Sequence, residues 1–281
     1  MEPKVAVVLG SGGIKPLSSI ALLDFLTEQQ INIDLFVGCS GGSLVAATAA
    51  LGYDTQQIYD FYLEYFKRKP FSALDYKTLL SLANLPMGRF DINSGIAKPD
   101  KLLEFYDYLY GDQLIEDLKI PTVIQTTDIQ SGEAVVLDSG SLKHAIYATS
   151  ALYPFVPPIF HQGRWLVDGA LTAPLPLMEA VKRNMDVIIV VRFHETNDPN
   201  PATFLDGFYN VISSFNRSLS QSQMALALDF HHYEIIFLDV KFDTKISVTD
   251  FEKMPAILEA GRLAVDKIKE EIMYAINSFE A

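Results

Sequence analysis

Few arrangements satisfy the stretch Phe36-Val37-Gly38-Cys39-Ser40-Gly41-Gly42-Ser43-Leu44-Val45-Ala46-Ala47. An apolar, β-prone run meets glycines on both sides of one serine and leaves as an alanine-rich segment, so the chain turns sharply from strand to helix there. In a G-x-S-x-G turn the serine sits in a strained backbone conformation, and only glycines at the flanks leave room for it. Gly38 and Gly42 hold those flanks, the strand is expected over Asp34 to Cys39, and the helix over Gly42 to Leu51. The turn lifts the hydroxyl above the sheet and points the positive end of the helix at charge that develops beside it. We read Ser40 as a nucleophile. A glycine-rich turn without catalysis would explain the pentapeptide alone; the strand before it and the helix after it favour the elbow.

Near the start of the chain, Lys4 to Gly10 is a short, continuously apolar run, the pattern of a strand buried on both faces of a parallel sheet. It runs into Gly10-Ser11-Gly12-Gly13-Ile14-Lys15-Pro16, and Leu17 to Glu28 then carries apolar residues at helical spacing. Backbone N–H groups in such a loop can cradle a phosphate or an oxyanion. A dinucleotide site fails on two counts: Lys15 stands where the third glycine belongs, and Ser40 with its glycines lies where an acidic residue should close the second strand. The Walker pattern fails for want of Gly-Lys-Ser/Thr. An oxyanion loop facing Ser40 is the better reading.

Composition narrows the partners. A count of 22 Lys+Arg against 35 Asp+Glu, net −13, argues against nucleic acid or a strongly anionic membrane. The single cysteine, Cys39, permits no internal disulfide and suits a reducing compartment. We find no signal peptide, membrane span, repeat or metal-spaced Cys/His cluster, and expect neither cofactor nor metal. A cytoplasmic protein is expected, with peripheral membrane contact left open.

The glycine loop with its lysine, and the elbow about 25 residues on, together resemble the patatin-like phospholipase family. Val167-Asp168-Gly169-Ala170 is similar to that family's D-G-A/G block, and Ala148-Thr149-Ser150-Ala151 with Tyr153-Pro154-Phe155-Val156-Pro157-Pro158 to the segment before it. Thr126 to Glu133 also resembles the family's central strand and turn. The resemblance covers roughly residues 4 to 193. It implies a Ser-Asp dyad, in which Ser40 attacks an ester carbonyl and Asp168 is the general base, with Gly169 supporting the turn. No histidine is needed. His194 follows the strand Val187 to Phe193, which keeps a His-dependent hydrolase open, although we read it as a loop histidine. Without its neighbours, Asp168-Gly169 would be an ordinary turn.

The first block departs from the family pattern, with Ser11 at its first glycine and Pro16 at its last. Proline fits the first turn of a helix, while Ser11 loses a glycine's freedom of positive φ. The oxyanion hole is expected to use the N–H groups of Gly12, Gly13 and Ile14 in a less permissive backbone. Cys39 is read as buried packing, not a second nucleophile.

Between the elbow and the Asp-Gly block, Ile58, Phe61, Tyr62, Tyr65 and Phe66 form an aromatic helical stripe. We read it as core packing, with Lys67 to Lys69 complementing the helix C-terminus; a lid or interfacial patch is the alternative. Helices over 79–89 and 101–110 continue this cap. The α/β rhythm then resumes, with a surface loop over Thr196 to Pro201. The fold class expected is α/β, a mostly parallel central sheet with helices on both faces, patatin-like and three-layered. One domain spans 1–281, with a helical cap-like insertion at about 55–110 and a covering helix at about 250–279. The function expected is a phospholipase A-like or lysophospholipase-like acyl hydrolase, with phospholipid or lysophospholipid acyl chains as partners. A catalytically silent lipid- or protein-binding relative and a transacylase stay open.

Overall fold

The computed structural model describes residues 2–68, 73–194, 199–231, 234–247 and 250–279; the side chains of Phe66, Phe204 and Leu205 lie outside the description, as do the expected position Lys69 and most of the loop after His194. Strand β1 (Val5–Leu9) is followed by α1 (Ile20–Glu28), β2 (Leu35–Cys39) and α2 (Gly41–Leu51). Helices α3 (Thr55–Lys67), α4 (Tyr76–Leu82) and α5 (Asp100–Tyr110) come next. Then β3 (Thr122–Asp128), β4 (Ala134–Leu137), α6 (Leu142–Ser150), β5 (Ile159–His161) and β6 (Arg164–Asp168) lead to α7 (Leu177–Lys182) and β7 (Val187–His194). The chain ends through α8 (Phe204–Phe230), β8 (Glu234–Lys241) and α9 (Met254–Asn277).

The strands form one sheet in the order β5-β6-β3-β2-β1-β7-β8, with β4 also paired to β3. Pairs β1·β2, β1·β7, β2·β3 and β7·β8 are parallel, whereas β3·β4, β3·β6 and β5·β6 are antiparallel. Alternation along β1 makes two cores. Val5, Val7 and Leu9 join residues of α1, α2, α5, α6 and α9, while Ala6 and Val8 join Leu177 and Ala180 of α7 and Ala227 of α8. Helices therefore cover both faces of a mostly parallel sheet, as the apolar runs predict. No described helix is long and apolar enough to cross a membrane.

Register along β3 sets the geometry of the site. Gln125 pairs with Cys39 of β2 and Val136 of β4, and Thr126 pairs with Asp168 of β6 and Val135 of β4. Since β4 takes one edge of β3 over 124–127, β2 and β6 share the other edge end to end. Ser40 follows the last residue of β2, and Asp168 is the last residue of β6. Two residues distant in sequence are thus brought face to face.

Some boundaries differ from expectation. The helix expected from Leu17 begins at Ile20, after a 3-10 turn over Lys15–Ser19 in which the Ser18 and Ser19 hydroxyls donate to the Lys15 and Pro16 carbonyls. The helix expected over 79–89 is α4, three residues earlier at its start: Asp75 caps it by accepting from the Lys77 and Thr78 N–H groups. It stops before Pro86, with Asn84 at φ 51° and Met87 at φ 67° in left-handed turns that no helix accommodates. In α3, Ile58, Tyr62 and Tyr65 are buried and Phe61 is half-buried. The aromatic stripe is turned inward.

Candidate active site

Ser40 occupies φ 52°, ψ −126° between β2 and α2, a conformation that an L-residue adopts only when its surroundings enforce it, at a cost of roughly 1–3 kcal/mol. Close backbone contacts supply the enforcement. A Cβ on Gly38 would lie 2.6 Å from Ser43 Cα, one on Gly42 would strike the Leu9 and Gly10 carbonyls, and one on Gly41 would strike the Gly13 carbonyl. The elbow is therefore seated directly on the loop after β1. Gly41→Ala is expected to wedge the two apart, costing about 2–3 kcal/mol and lowering Tm by roughly 5 °C. An unchanged melting temperature would show that the loop does not touch the elbow.

Thr149, at the end of α6, completes the support: its Oγ1 accepts from the Ser40 N–H at 2.8 Å and donates to the Gln125 carbonyl at 2.6 Å. The sequence places Thr149 inside a recognisable block but gives it no role; its only signal is adjacency to small residues. Tyr62, another contact absent from the sequence reading, donates from its hydroxyl to the Gly41 carbonyl at 3.0 Å.

The Ser40 hydroxyl donates to Asp168 Oδ2 at 2.8 Å, and Asp168 Oδ1 accepts from the Ala170 N–H at 2.8 Å. Gly169 lets this turn press against β3, since a Cβ there would run into the Gln125 carbonyl. Thr127 Oγ1 donates to the Asp168 carbonyl at 3.0 Å. Asp168 is 3% exposed. Burial pushes its carboxyl up to about 7, while the Ala170 N–H and the Ser40 hydroxyl pull it back down. Burial, with a smaller push from the Asp168 charge, raises the Cys39 thiol and keeps it protonated.

In the glycine loop, Ser11 donates its N–H to the Pro174 carbonyl at 2.8 Å. The positive φ falls on Gly13, at 60°, and Ser11 needs no glycine-like freedom. The N–H groups of Gly12, Gly13 and Ile14 make no hydrogen bond among the described residues. Phe193 packs over Gly12, where a Cβ would come within 3.0 Å of its ring. His194 sits 3.1 Å from Asp239 Oδ1 on β8, where Arg192 also pairs with Asp239; its carboxylate partner is not Asp168.

A strained serine hydrogen-bonded to a buried carboxylate, beside a loop of free N–H groups, can carry out acyl-ester hydrolysis. The family model described as patatin-like phospholipase matches residues 7–181, and the chain belongs to that family. Lysophospholipase NTE1 of Kluyveromyces lactis is 30% identical over 219 residues, covering 75% of this chain and 14% of that protein. An uncharacterized NTE family protein of Mycobacterium bovis is 29% identical over 225 residues, covering 80% of this chain and 58% of its own. The chain spans only part of the length of these relatives. Among solved structures, VipD from Legionella pneumophila has a TM-score of 0.51 at 14% identity, over 96% of this chain and 67% of VipD, a likeness of fold.

Proposed function

We propose that the chain hydrolyses acyl esters of phospholipids or lysophospholipids through a covalent acyl-Ser40, with Asp168 as general base. The 2.8 Å bond from the strained serine to the buried carboxylate carries this reading. Ser40 Oγ attacks the ester carbonyl and passes its proton to Asp168 Oδ2. The N–H groups of Gly12, Gly13 and Ile14 receive the oxyanion. Collapse of the tetrahedral intermediate expels the alcohol, which takes the proton from Asp168. Water then attacks the acyl-enzyme, again giving its proton to Asp168, and the acid leaves with Ser40 restored.

The relative named a lysophospholipase supports the substrate class. We treat 1–281 as one domain, with about 55–110 as a cap beside the site. Peripheral lipid contact is supported by Tyr76, Leu82, Met87 and Phe90, large apolar side chains exposed on that cap.

Because the base works only when ionised, kcat/KM should rise about tenfold per pH unit below pH 7 and level off above it. Hydrolysis of p-nitrophenyl esters from acetyl to palmitoyl between pH 5 and 9, with fluorophosphonate labelling in parallel, tests both points. A flat profile removes Asp168 as the base, and absence of Ser40 labelling removes the acyl-enzyme. A product that partitions to added alcohol would redirect the reading to a transacylase.

A further inference from the structure

The end of α6 holds the main chain of both Ser40 and Asp168. Thr149 Oγ1 accepts the Ser40 N–H at 2.8 Å, and two residues on the Ala151 carbonyl accepts the Asp168 N–H at 3.0 Å. One short stretch thus grips two residues that lie 128 positions apart in sequence.

A third bond fixes the polarity of the grip. A threonine hydroxyl has one proton and two lone pairs. The Gln125 carbonyl takes the proton at 2.6 Å, so only lone pairs are left to meet the Ser40 N–H. Ser43 Oγ, on the first turn of α2, lies 3.4 Å from the same oxygen. Gln125 is the β3 residue paired with Cys39, and its neighbour Thr126 is paired with Asp168. The hydroxyl is therefore anchored where β2 and β6 both end. Thr149 is fully buried, and its β-branch restricts χ1, which keeps the oxygen in this place. The N–H and Oγ of Ser40 hang on adjacent atoms of one residue, so holding the N–H limits how far Oγ can swing from Asp168 Oδ2.

Resting on the hydrolase reading above, we propose that Thr149 is a positioning residue for the reaction: its hydroxyl ties the Ser40 main chain to β3 and so keeps Ser40 Oγ within hydrogen-bond distance of Asp168. It touches neither substrate nor the reacting atoms. Without the hydroxyl, the Ser40 N–H and the Gln125 carbonyl both lose their partner, and the elbow shifts to satisfy them.

The test compares the full chain with Thr149→Val, which removes the hydroxyl at nearly constant shape, and with Thr149→Ser, which restores it. Thr149→Val is expected to lower kcat for p-nitrophenyl esters about 10²-fold with KM changed by less than about threefold, and Thr149→Ser to return kcat to within about fivefold of wild type. The pH profile separates positioning from stability. The Ser40 hydroxyl pulls the Asp168 carboxyl down, so its withdrawal in Thr149→Val moves the acid limb to higher pH, and Thr149→Ser moves it back. A kcat or an acid limb that stays at the wild-type value in Thr149→Val overturns the proposal; a lower Tm beside it would mean that the hydroxyl serves the fold alone. If wild type turns over no ester, the hydrolase reading fails on its own, and titration of the Asp168 carboxyl by carbon NMR decides. A titration raised in Thr149→Val and restored in Thr149→Ser supports the positioning role, and the same titration in all three proteins overturns it. Where Thr149→Val does not fold, the same readouts on Thr149→Ala decide in the same way.

Discussion

Replacing Ser40 with alanine is expected to lower kcat/KM for p-nitrophenyl esters by about 10⁴-fold or more, since only binding and the oxyanion loop would then act on the substrate. The folded state should survive. Serine and alanine meet the same backbone strain at φ 52°, and the contacts that enforce it come from Gly38, Gly41, Gly42 and Thr149, none of which is altered. What is lost is one donor to Asp168, which keeps its bond from the Ala170 N–H. Ester turnover and fluorophosphonate labelling should both vanish while the thermal transition stays cooperative. Turnover above a hundredth of wild type would mean that another group attacks the ester.

Asp168→Asn separates catalysis from stability. An asparagine can accept from the Ala170 N–H through Oδ1 and turn Nδ2 toward Ser40 Oγ, so both contacts persist with the second one reversed in direction. The serine hydroxyl then receives a hydrogen bond where it must donate a proton, and a loss of about 10⁴-fold in kcat/KM is expected. Stability should move the other way. With a carboxyl that titrates near 7 when folded and at 3.8 when unfolded, the native chain holds a proton between about pH 4 and 7 that the unfolded chain releases. Wild-type stability at this group is therefore greatest below pH 4, falls as pH rises through the window, and is lower by roughly 4 kcal/mol above it. Asp168→Asn escapes that cost, so at pH 8 it should melt above wild type, and the gap should close as pH falls toward 4. Identical pH dependence of Tm in the two proteins would show that Asp168 is not titrating with a raised value. Activity retained in Asp168→Asn would transfer the base role elsewhere.

The elbow could be read from sequence because it depends on local sterics: glycines at 38 and 42 around a serine have few other uses between an apolar strand and an alanine-rich helix. The strand and loop at the N-terminus were legible for the same reason, as were β7, β8 and α9, whose apolar patterns are long enough to fix their type. Thr149 was not, because its importance comes from meeting Ser40 N–H and Gln125 O across three elements. The strands read over Ala134 to Leu137 and Arg164 to Val167 are found as β4 and β6, but β5 goes unread, since three residues of mixed burial carry little periodicity, and the antiparallel pairing of all three depends on contacts across the sheet. The end of α4 was misplaced because hydrophobic spacing runs on through Leu85 and Met87 while Pro86 and two left-handed residues stop the helix.

The end-to-end seating of β2 and β6 on one edge of β3 makes this chain its own alignment gauge. Strand side chains alternate faces, so a slip of β6 by a single residue would place Val167 or Gly169 opposite Thr126 and turn the carboxylate to the other side of the sheet. Molecules with a slipped β6 would keep their helices and much of their core and lack the pairing with Ser40. Specific activity per mole of folded protein therefore counts the fraction of molecules whose central sheet is in register, a defect that circular dichroism would pass over.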